Sequence, residues 1–247
     1  MATAIHAGHD LRPAIAACTA LDDATRLREE DPFTDRLTAL GGPTVVVHRS
    51  RFEVDLNRSR AEAVYQSPDD AWGLDLWRVP PLSEELERSR HLYDEFYDML
   101  GQRLDALAEG GPFVVLDLHS YNHRREGAHA PPAEAETNPE INVGTGALDR
   151  ARWGNLVNRF MGTLAACSVD GHRLDVRENV RFQGGELSRW VAARYAGRGC
   201  ALAIEFKKVF MDEWTGELDD QYLAELRDAL GSVVPALVEE LQCPAPT

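Results

Sequence analysis

The chain has 247 residues, of which 44% are hydrophobic and 27% charged, which is ordinary globular composition and enough length for one large α/β domain or two small ones. Its formal net charge of −15 argues against nucleic-acid partners and anionic membranes, because both require a basic surface. An anionic small molecule is not excluded, since local arginines act within a Debye length of about 8 Å.

Nothing in the sequence predicts export or membrane insertion. No stretch reaches the roughly 18 apolar residues of a membrane helix, and residues 1–5 lack the basic region and long apolar run of a signal peptide. The four cysteines are scattered without a close pair, which is typical of isolated reduced thiols. We therefore expect a cytoplasmic protein.

The first third of the chain alternates short apolar runs with charged loops. Apolar or β-branched runs predict strands at residues 1–5 and 44–48 and permit another at 51–56. A short helix is predicted to begin at Pro13. Residues 59–82 contain three prolines and two tryptophans, and they predict a long ordered loop of the kind that is usually functional.

The clearest predicted helix spans residues 83–108. Ser83 is a suitable N-cap, apolar residues recur at helical spacing, and Gly110-Gly111 provides a glycine stop. The run 113–118 then predicts a buried strand that ends on His119, so helix and strand form half of a βαβ crossover. The predicted apolar stripe of the helix comprises Leu86, His91 or Leu92, Phe96, Leu100, Leu104 and Leu107.

The rest of the chain continues this alternation. A long polar loop is predicted at 124–146, and an irregular segment or edge strand at 172–180. A buried strand is predicted at 200–206, and the last helix is expected to kink or break at Pro235. The other predicted segments are helices at 151–165, 186–195 and 218–241. Alternating helices and buried strands favour one doubly wound α/β domain covering residues 1–247.

Two histidines follow predicted strands, His6 after the first and His119 after the strand at 113–118. In α/β proteins, ligands bind outside the carboxyl ends of parallel strands. Catalytic zinc takes three ligands from His, Asp and Glu and leaves one position for water. The acids Glu29, Glu30 and Asp31 are candidates for the third ligand, and spacing alone does not choose among them. A lone histidine is more often structural, so the prediction depends on the pair.

Glu205 is the only acid in the apolar run 200–206. A buried carboxylate is costly unless it is paired, binds metal or has a raised pKa. A raised pKa suits a general base that operates near neutrality. The alternative is a structural salt bridge to Lys207 or to an arginine from elsewhere in the chain.

Arginines cluster around the run Asp55-Leu56-Asn57-Arg58. A planar guanidinium binds a carboxylate bidentately, so Asn57 and Arg58 beside a metal are suited to hold a substrate carboxylate or polarise a carbonyl. Without such a site, the same run is an ordinary solvated segment. The arginines of this cluster are Arg49, Arg51, Arg58 and Arg60.

Taken together, these motifs resemble the N-formylglutamate amidohydrolase family, in order and over nearly the whole chain. The resemblance implies a zinc-carboxypeptidase-like fold: a single three-layer α/β domain with a mixed, mostly parallel sheet and helices on both faces. The motifs are His6-Ala7-Gly8, Glu29 to Asp35, Asp55-Leu56-Asn57-Arg58, Asp117-Leu118-His119-Ser120 and Ile204-Glu205.

The resemblance also implies a zinc-dependent amidohydrolase acting on an N-formyl or other N-acyl amino acid. One Zn²⁺ is expected between His6, His119 and an acid of the 29–31 cluster, with Asp31 preferred and Glu29 next. Glu205 is expected to be the general base and acid, and Arg51 to polarise the scissile carbonyl. Asp117 is expected to orient a ligand from outside the metal site. The residues expected to hold a substrate carboxylate are Asn57, Arg58 and Arg189.

Two other hypotheses fit the same residues. One is a non-catalytic binding module of this fold that captures amino-acid or peptide carboxylates through Arg58. The other is a metal-free α/β protein whose histidines are structural. The loop at 121–125 departs from that of the better-known family members, which leaves the physiological substrate open. The sequence does not give the oligomeric state.

Overall fold

A six-stranded sheet forms the centre of the computed structural model, which describes residues 1–243. Its strands lie in the order β2-β1-β3-β8-β4-β7, and every neighbouring pair is parallel except β4 with β8. Strands β5 and β6 form a separate antiparallel pair. The strands are β1 (Ala2–Ala4), β2 (Thr44–Val46), β3 (Phe113–Tyr121), β4 (Ile141–Gly144), β5 (Ser168–Val169), β6 (His172–Arg173), β7 (Val176–Glu178) and β8 (Gly199–Lys207).

Helices cover both faces of this sheet because the side chains of its central strands alternate between the faces. Leu116 and Leu118 of β3 pack with α5 and α7 on one face, whereas Val115 packs with α4 and α6 on the other. The predicted α/β fold with a mixed, mostly parallel sheet is therefore confirmed. The helices are α1 (Pro13–Ala16), α2 (Asp23–Glu29), α3 (Thr34–Leu37), α4 (Ser83–Glu109), α5 (Arg150–Ala165), α6 (Glu186–Arg194) and α7 (Asp220–Gln242), with a 3₁₀ turn at Pro68–Ala71.

Helix α4 has the predicted span, but its N-terminal half buries a different face from the predicted stripe. Glu85 and Ser89 are buried there, whereas Leu86 is only half-buried. Arg12 accounts for this, because its guanidinium donates to Glu85 Oε2 at 2.5 Å and to Ser89 Oγ at 2.9 Å. The N-cap residue is Leu82, one position before the predicted cap.

Two segments differ from their predicted structure. Residues 51–56 form turns because Ser50 satisfies this backbone locally: its carbonyl accepts from Glu53 N at 3.0 Å and its Oγ accepts from Phe52 N at 3.2 Å. Within the predicted loop 124–146, residues 141–144 form strand β4 between β8 and β7. That strand has only four residues, too few for an alternating pattern to stand out in the sequence.

Helix α7 is continuous from Asp220 to Gln242 with Pro235 inside it, so the predicted break does not occur. Pro235 is exposed while Val233 and Leu237 are buried. Neither α7 nor any other helix in residues 1–243 combines the length and apolar character needed to cross a membrane.

Candidate metal and substrate site

The candidate site lies at the carboxyl ends of β1, β3 and β8. In the parallel pairing of β3 with β8, His119 lies opposite Glu205, and paired residues of neighbouring strands point to the same face. Both side chains line a cavity of about 230 Å³. Other residues that line it are His6, Glu29, Asp31, Arg51, Asp55, Asn57, Arg58, Trp72, Asn122, Arg125 and Lys208.

His6, Asp31 and His119 converge in this cavity. All three are buried, and one potential ligand atom from each lies within 4.8 Å of the other two. Asp31 Oδ2 is 2.9 Å from His119 Nδ1 and 3.4 Å from His6 Nδ1. The backbone holds Asp31 in place, since its N–H donates to the carbonyl of His6 at 2.9 Å.

Each histidine is oriented by a second carboxylate outside this group. Nε2 of His6 lies 2.8 Å from Asp55 Oδ1, and Nε2 of His119 lies 3.0 Å from Asp117 Oδ2. When these nitrogens carry the protons, both Nδ1 lone pairs face Asp31, and His6 Nδ1 is buried without a hydrogen-bond partner in residues 1–243. Three electron-rich atoms facing one another in a buried space fit a cation, and two imidazoles with one carboxylate are ligands that suit zinc.

The charge state of this group reflects the crowding of acids and bases. Burial alone would raise the pKa of Asp31, but its hydrogen bond with His119 and the nearby His6 ring hold that pKa well below its usual value. Burial alone would lower the pKa of His119, but Asp117 and Asp31 outweigh it and raise that pKa well above its usual value. Asp31 and His119 therefore stabilise each other's charged forms.

Asp55 contacts both His6 and Arg51. Besides contacting His6, it accepts from Arg51 Nη2 at 2.8 Å, from Asn57 N at 2.8 Å and from the Tyr65 hydroxyl. Burial alone would raise the pKa of Asp55, but Arg51 and His6 hold it well below its usual value. Asp55 is therefore an ionised anchor that fixes both His6 and Arg51.

The Glu205 side chain stands in the cavity without a directly bonded partner among residues 1–243. Neither a hydrogen bond nor an ion pair to its carboxylate occurs within the described part of the chain, so the salt bridge to Lys207 considered from the sequence does not form there. Lys207 Nζ instead donates to the carbonyl of Asn138 at 3.2 Å. Burial raises the pKa of Glu205 to about 7, which places its protonation change near neutrality.

Arg51 lies between Asp55 and the exposed side chain of Trp72. Its Nη2 bonds Asp55, its Nε donates to the Tyr65 hydroxyl at 3.2 Å, and its Cζ lies 4.8 Å from the ring centre of Trp72. Burial alone would lower the pKa of Arg51, but Asp55 raises it well above its usual value. The guanidinium is therefore a fixed positive charge on the cavity wall.

The predicted substrate-binding residues have different environments. Arg58 lines the cavity and stacks on Tyr65, with its Cζ 4.6 Å from the ring centre. Asn57 also lines the cavity, but its Oδ1 accepts from Leu187 N at 3.2 Å and its Nδ2 lies 3.3 Å from His119 Nε2. Arg189 is not brought to the cavity: its exposed guanidinium pairs with Glu186 at 2.9 Å.

The structure adds two cations to the site that the sequence analysis does not single out. Arg125 lines the cavity from the loop after β3, and Lys208 directly follows β8. Lys208 Nζ donates to the carbonyl of Glu30 at 2.7 Å and to Asn122 Oδ1 at 2.9 Å. Burial lowers the pKa of Lys208 to about 8. The sequence signal was a lysine directly after a buried strand, which by itself is common.

Comparison with known proteins identifies the family. A sequence profile described as N-formylglutamate amidohydrolase matches residues 1–211. A curated relative named N-formylglutamate deformylase, from Pseudomonas aeruginosa, is 29% identical over 256 residues, which covers 96% of this chain and 90% of the relative.

Solved structures show the same fold. An N-formylglutamate amidohydrolase from Ralstonia eutropha JMP134 matches with a TM-score of 0.74 at 19% identity, covering 98% of this chain and 93% of that one. A gene product from Agrobacterium tumefaciens matches with a TM-score of 0.61 at 16% identity, covering 96% and 91%. Because the family profile spans most of the sequence, the chain belongs to the N-formylglutamate amidohydrolase family.

Proposed function

We propose that this protein is a zinc-dependent amidohydrolase that cleaves the amide of N-formylglutamate or a closely related N-acyl amino acid. The observation that carries the proposal is the meeting of His6, Asp31 and His119 with the unpaired Glu205 in one cavity. The family membership and the name of the Pseudomonas aeruginosa relative, N-formylglutamate deformylase, support the same reaction class.

In this proposal His6, Asp31 and His119 hold the metal, and Asp55 and Asp117 orient the two imidazoles. A zinc ion bound there supplies Lewis acidity and lowers the pKa of bound water. Thr3 supports the arrangement, because its Oγ1 donates to Asp117 Oδ1 at 2.7 Å. This outer layer keeps each ring nitrogen aimed at the metal position.

Glu205 is the proton carrier. Its pKa near 7 lets it accept the proton of the attacking water and later return it to the leaving nitrogen, since a group that titrates near the working pH does both efficiently. The net reaction adds one water across the C–N bond and releases the carboxylic acid and the amine. Position supports this role, because Glu205 faces the same cavity as His119 from the neighbouring strand.

Arg51 and Arg58 bind the charged parts of the reacting molecule. Arg51 is fixed by Asp55 and is suited to stabilise the carbonyl oxygen as negative charge develops on it, an effect worth about 3–4 kcal/mol per donor in known cases. Arg58 has open donors for a substrate carboxylate. Asn57 Oδ1 accepts from Leu187 N, so we assign Asn57 the positioning of the loop that carries Arg58.

The proposal is tested with Glu205→Gln. We expect this variant to lose release of free amine from N-formyl-L-glutamate by at least about a hundredfold, as for loss of a general base, while retaining one zinc per chain by metal analysis. Glu84→Gln, a change in the first turn of α4, is the matched control and should keep full activity.

Undiminished turnover by Glu205→Gln would refute its role. Tight amino-acid binding by the wild type with no hydrolysis, unaffected by chelators, would instead support the non-catalytic binding module. Absence of bound metal after purification without chelator, at pH values from about 6 to 8, would count against zinc, because the ligands must lose their protons to bind it.

A further inference from the structure

Four cationic side chains line the cavity, and their existing bonds divide them into two kinds. Arg51 is committed to Asp55 and Tyr65, and Lys208 donates to three oxygen atoms of the protein. Within residues 1–243, Arg58 and Arg125 each donate a single hydrogen bond. A guanidinium has five N–H donors, so these two retain most of theirs for a ligand.

Arg51 shares contacts with both of these arginines. Arg51 and Arg58 share Asp55, which is 2.8 Å from the first and 3.6 Å from the second, and both contact Tyr65. Arg51 and Arg125 share Trp72, whose ring centre is 4.8 Å from the Cζ of the first and 5.9 Å from the Cζ of the second. Arg51 is therefore linked to Arg58 through Asp55 and Tyr65, and to Arg125 through Trp72.

Arg125 has space and a replaceable partner. It lines both the main cavity and an adjoining hollow of about 150 Å³. Its hydrogen bond goes to Glu29 Oε2 at 2.9 Å, and the other oxygen of Glu29 lies 3.4 Å from Arg28 Nε. A substrate carboxylate that takes Arg125 therefore leaves Glu29 with a cationic neighbour.

We propose that Arg125 is the residue that selects the side-chain carboxylate of the substrate, with Arg58 holding the other carboxylate. This rests on the proposed function and names its specificity determinant. A bidentate guanidinium–carboxylate pair is charge-assisted and planar, whereas a side-chain amide offers Arg125 only one neutral acceptor. Acidic N-acyl amino acids are therefore preferred over their amides of the same shape.

The test compares L-glutamate with L-glutamine, two amino acids that differ in this group. Calorimetry on the zinc-loaded protein should show glutamate binding at least about tenfold more tightly, as expected for a charged hydrogen bond. Arg125→Gln should bring the ratio close to one by weakening glutamate, and Arg125→Lys should restore part of it. Arg124→Gln is the matched control, because Arg124 pairs with Asp212 outside the cavity, and it should keep the wild-type ratio.

Equal affinities for the two amino acids, no binding of glutamate, or an unchanged ratio in Arg125→Gln would overturn the inference. Hydrolysis of N-formyl-L-glutamate and N-formyl-L-glutamine is measured on the same preparations. Equal hydrolysis of both refutes the role of Arg125 and leaves the proposed function standing. An Arg125-dependent preference for glutamate without any hydrolysis refutes the proposed function and leaves the inference standing.

Discussion

At the scale of single residues, the site depends on carboxylates that differ sharply in charge state although they lie close together. Asp55 accepts from an arginine, a backbone amide, a tyrosine and His6, and its pKa is held well below its usual value. Among residues 1–243 no such donor reaches Glu205, and burial raises its pKa. Hydrogen bonds to the charged form and burial without them shift a pKa in opposite directions, and this difference separates an anchor from a proton carrier.

The burial of Glu205 predicts a pH dependence in the metal-free protein. Its pKa rises from 4.5 to about 7 on folding, so the folded state binds this proton more tightly than the unfolded chain. The contribution of this proton to the free energy of unfolding is fully present below about pH 4.5 and is lost as the pH rises through about 7.

Urea unfolding of chelator-treated wild type and Glu205→Gln at about pH 5 and pH 8 checks this. From about pH 5 to about pH 8, the free energy of unfolding of the variant should rise by roughly 1–3 kcal/mol relative to that of wild type. The reason is that the variant has no charge to bury at this position. A difference between the two proteins that stays constant with pH would contradict the assignment.

At the scale of elements, one lysine joins three of the segments that deliver site residues. Lys208 follows β8, which carries Glu205, and its Nζ bonds the carbonyl of Glu30 just before Asp31 and the side chain of Asn122 just after β3. It also donates to the carbonyl of Arg28 at 2.5 Å. A buried ammonium with three oxygen acceptors satisfies all of its donors, so it fixes the distance between these segments.

This geometry predicts that Lys208→Met weakens metal binding while the protein still folds. The methionine keeps much of the side-chain volume but leaves the carbonyl of Glu30 without its donor, and Asp31 then loses its fixed position. We expect a loss of zinc affinity of about 10–100-fold, as seen for residues that support metal ligands, measured by competition with a zinc indicator. Lys208→Arg should recover part of that affinity, and a Met variant with wild-type zinc affinity would contradict this role.

Elements with a strong local pattern were predictable from the sequence, whereas features set by individual hydrogen bonds were not. Apolar runs and glycine stops predict the long helix α4, the buried strands β3 and β8, and the position of His119 near the end of β3. The turns at 51–56 could not be inferred, because they depend on hydrogen bonds made by Ser50. Lys208 contacts a carbonyl 178 positions earlier in the chain, and no local pattern reports such a contact.

The candidate site divides in the same way. The convergence of His6, Asp31, His119 and Glu205 could be predicted only from several motifs in order, because each residue alone is common. Arg189 was expected beside Arg58, but it pairs with Glu186 on the surface. Arg125 lies in the distinctive loop after β3, and only the fold shows that it reaches the cavity.

At the scale of the whole molecule, the proposed metal ligands connect distant parts of one chain. His6 follows the first strand, Asp31 follows α2 and His119 lies in β3, so a bound ion would link segments that the unfolded chain keeps far apart. An ion that binds the folded state and not the unfolded chain stabilises by an amount that grows with its concentration relative to its dissociation constant. The formal charge of −15 further favours cation binding through the field of the whole protein.

Removal of metal is therefore expected to lower the stability of the entire fold. At a free zinc concentration about 100 times the dissociation constant, the gain is about 2.7 kcal/mol, and for a chain of this size that corresponds to a rise in melting temperature of roughly 5–10 °C. Thermal unfolding of wild type with chelator, and then with added zinc, measures this shift. Asp31→Asn is the matched comparison, because it keeps the shape of the side chain but removes the anionic ligand, and its melting temperature should respond far less to zinc. A wild-type melting temperature that is the same with chelator and with zinc, or an equal response in Asp31→Asn, would show that these three side chains do not hold the ion, since any ion that links them must also hold the folded chain together.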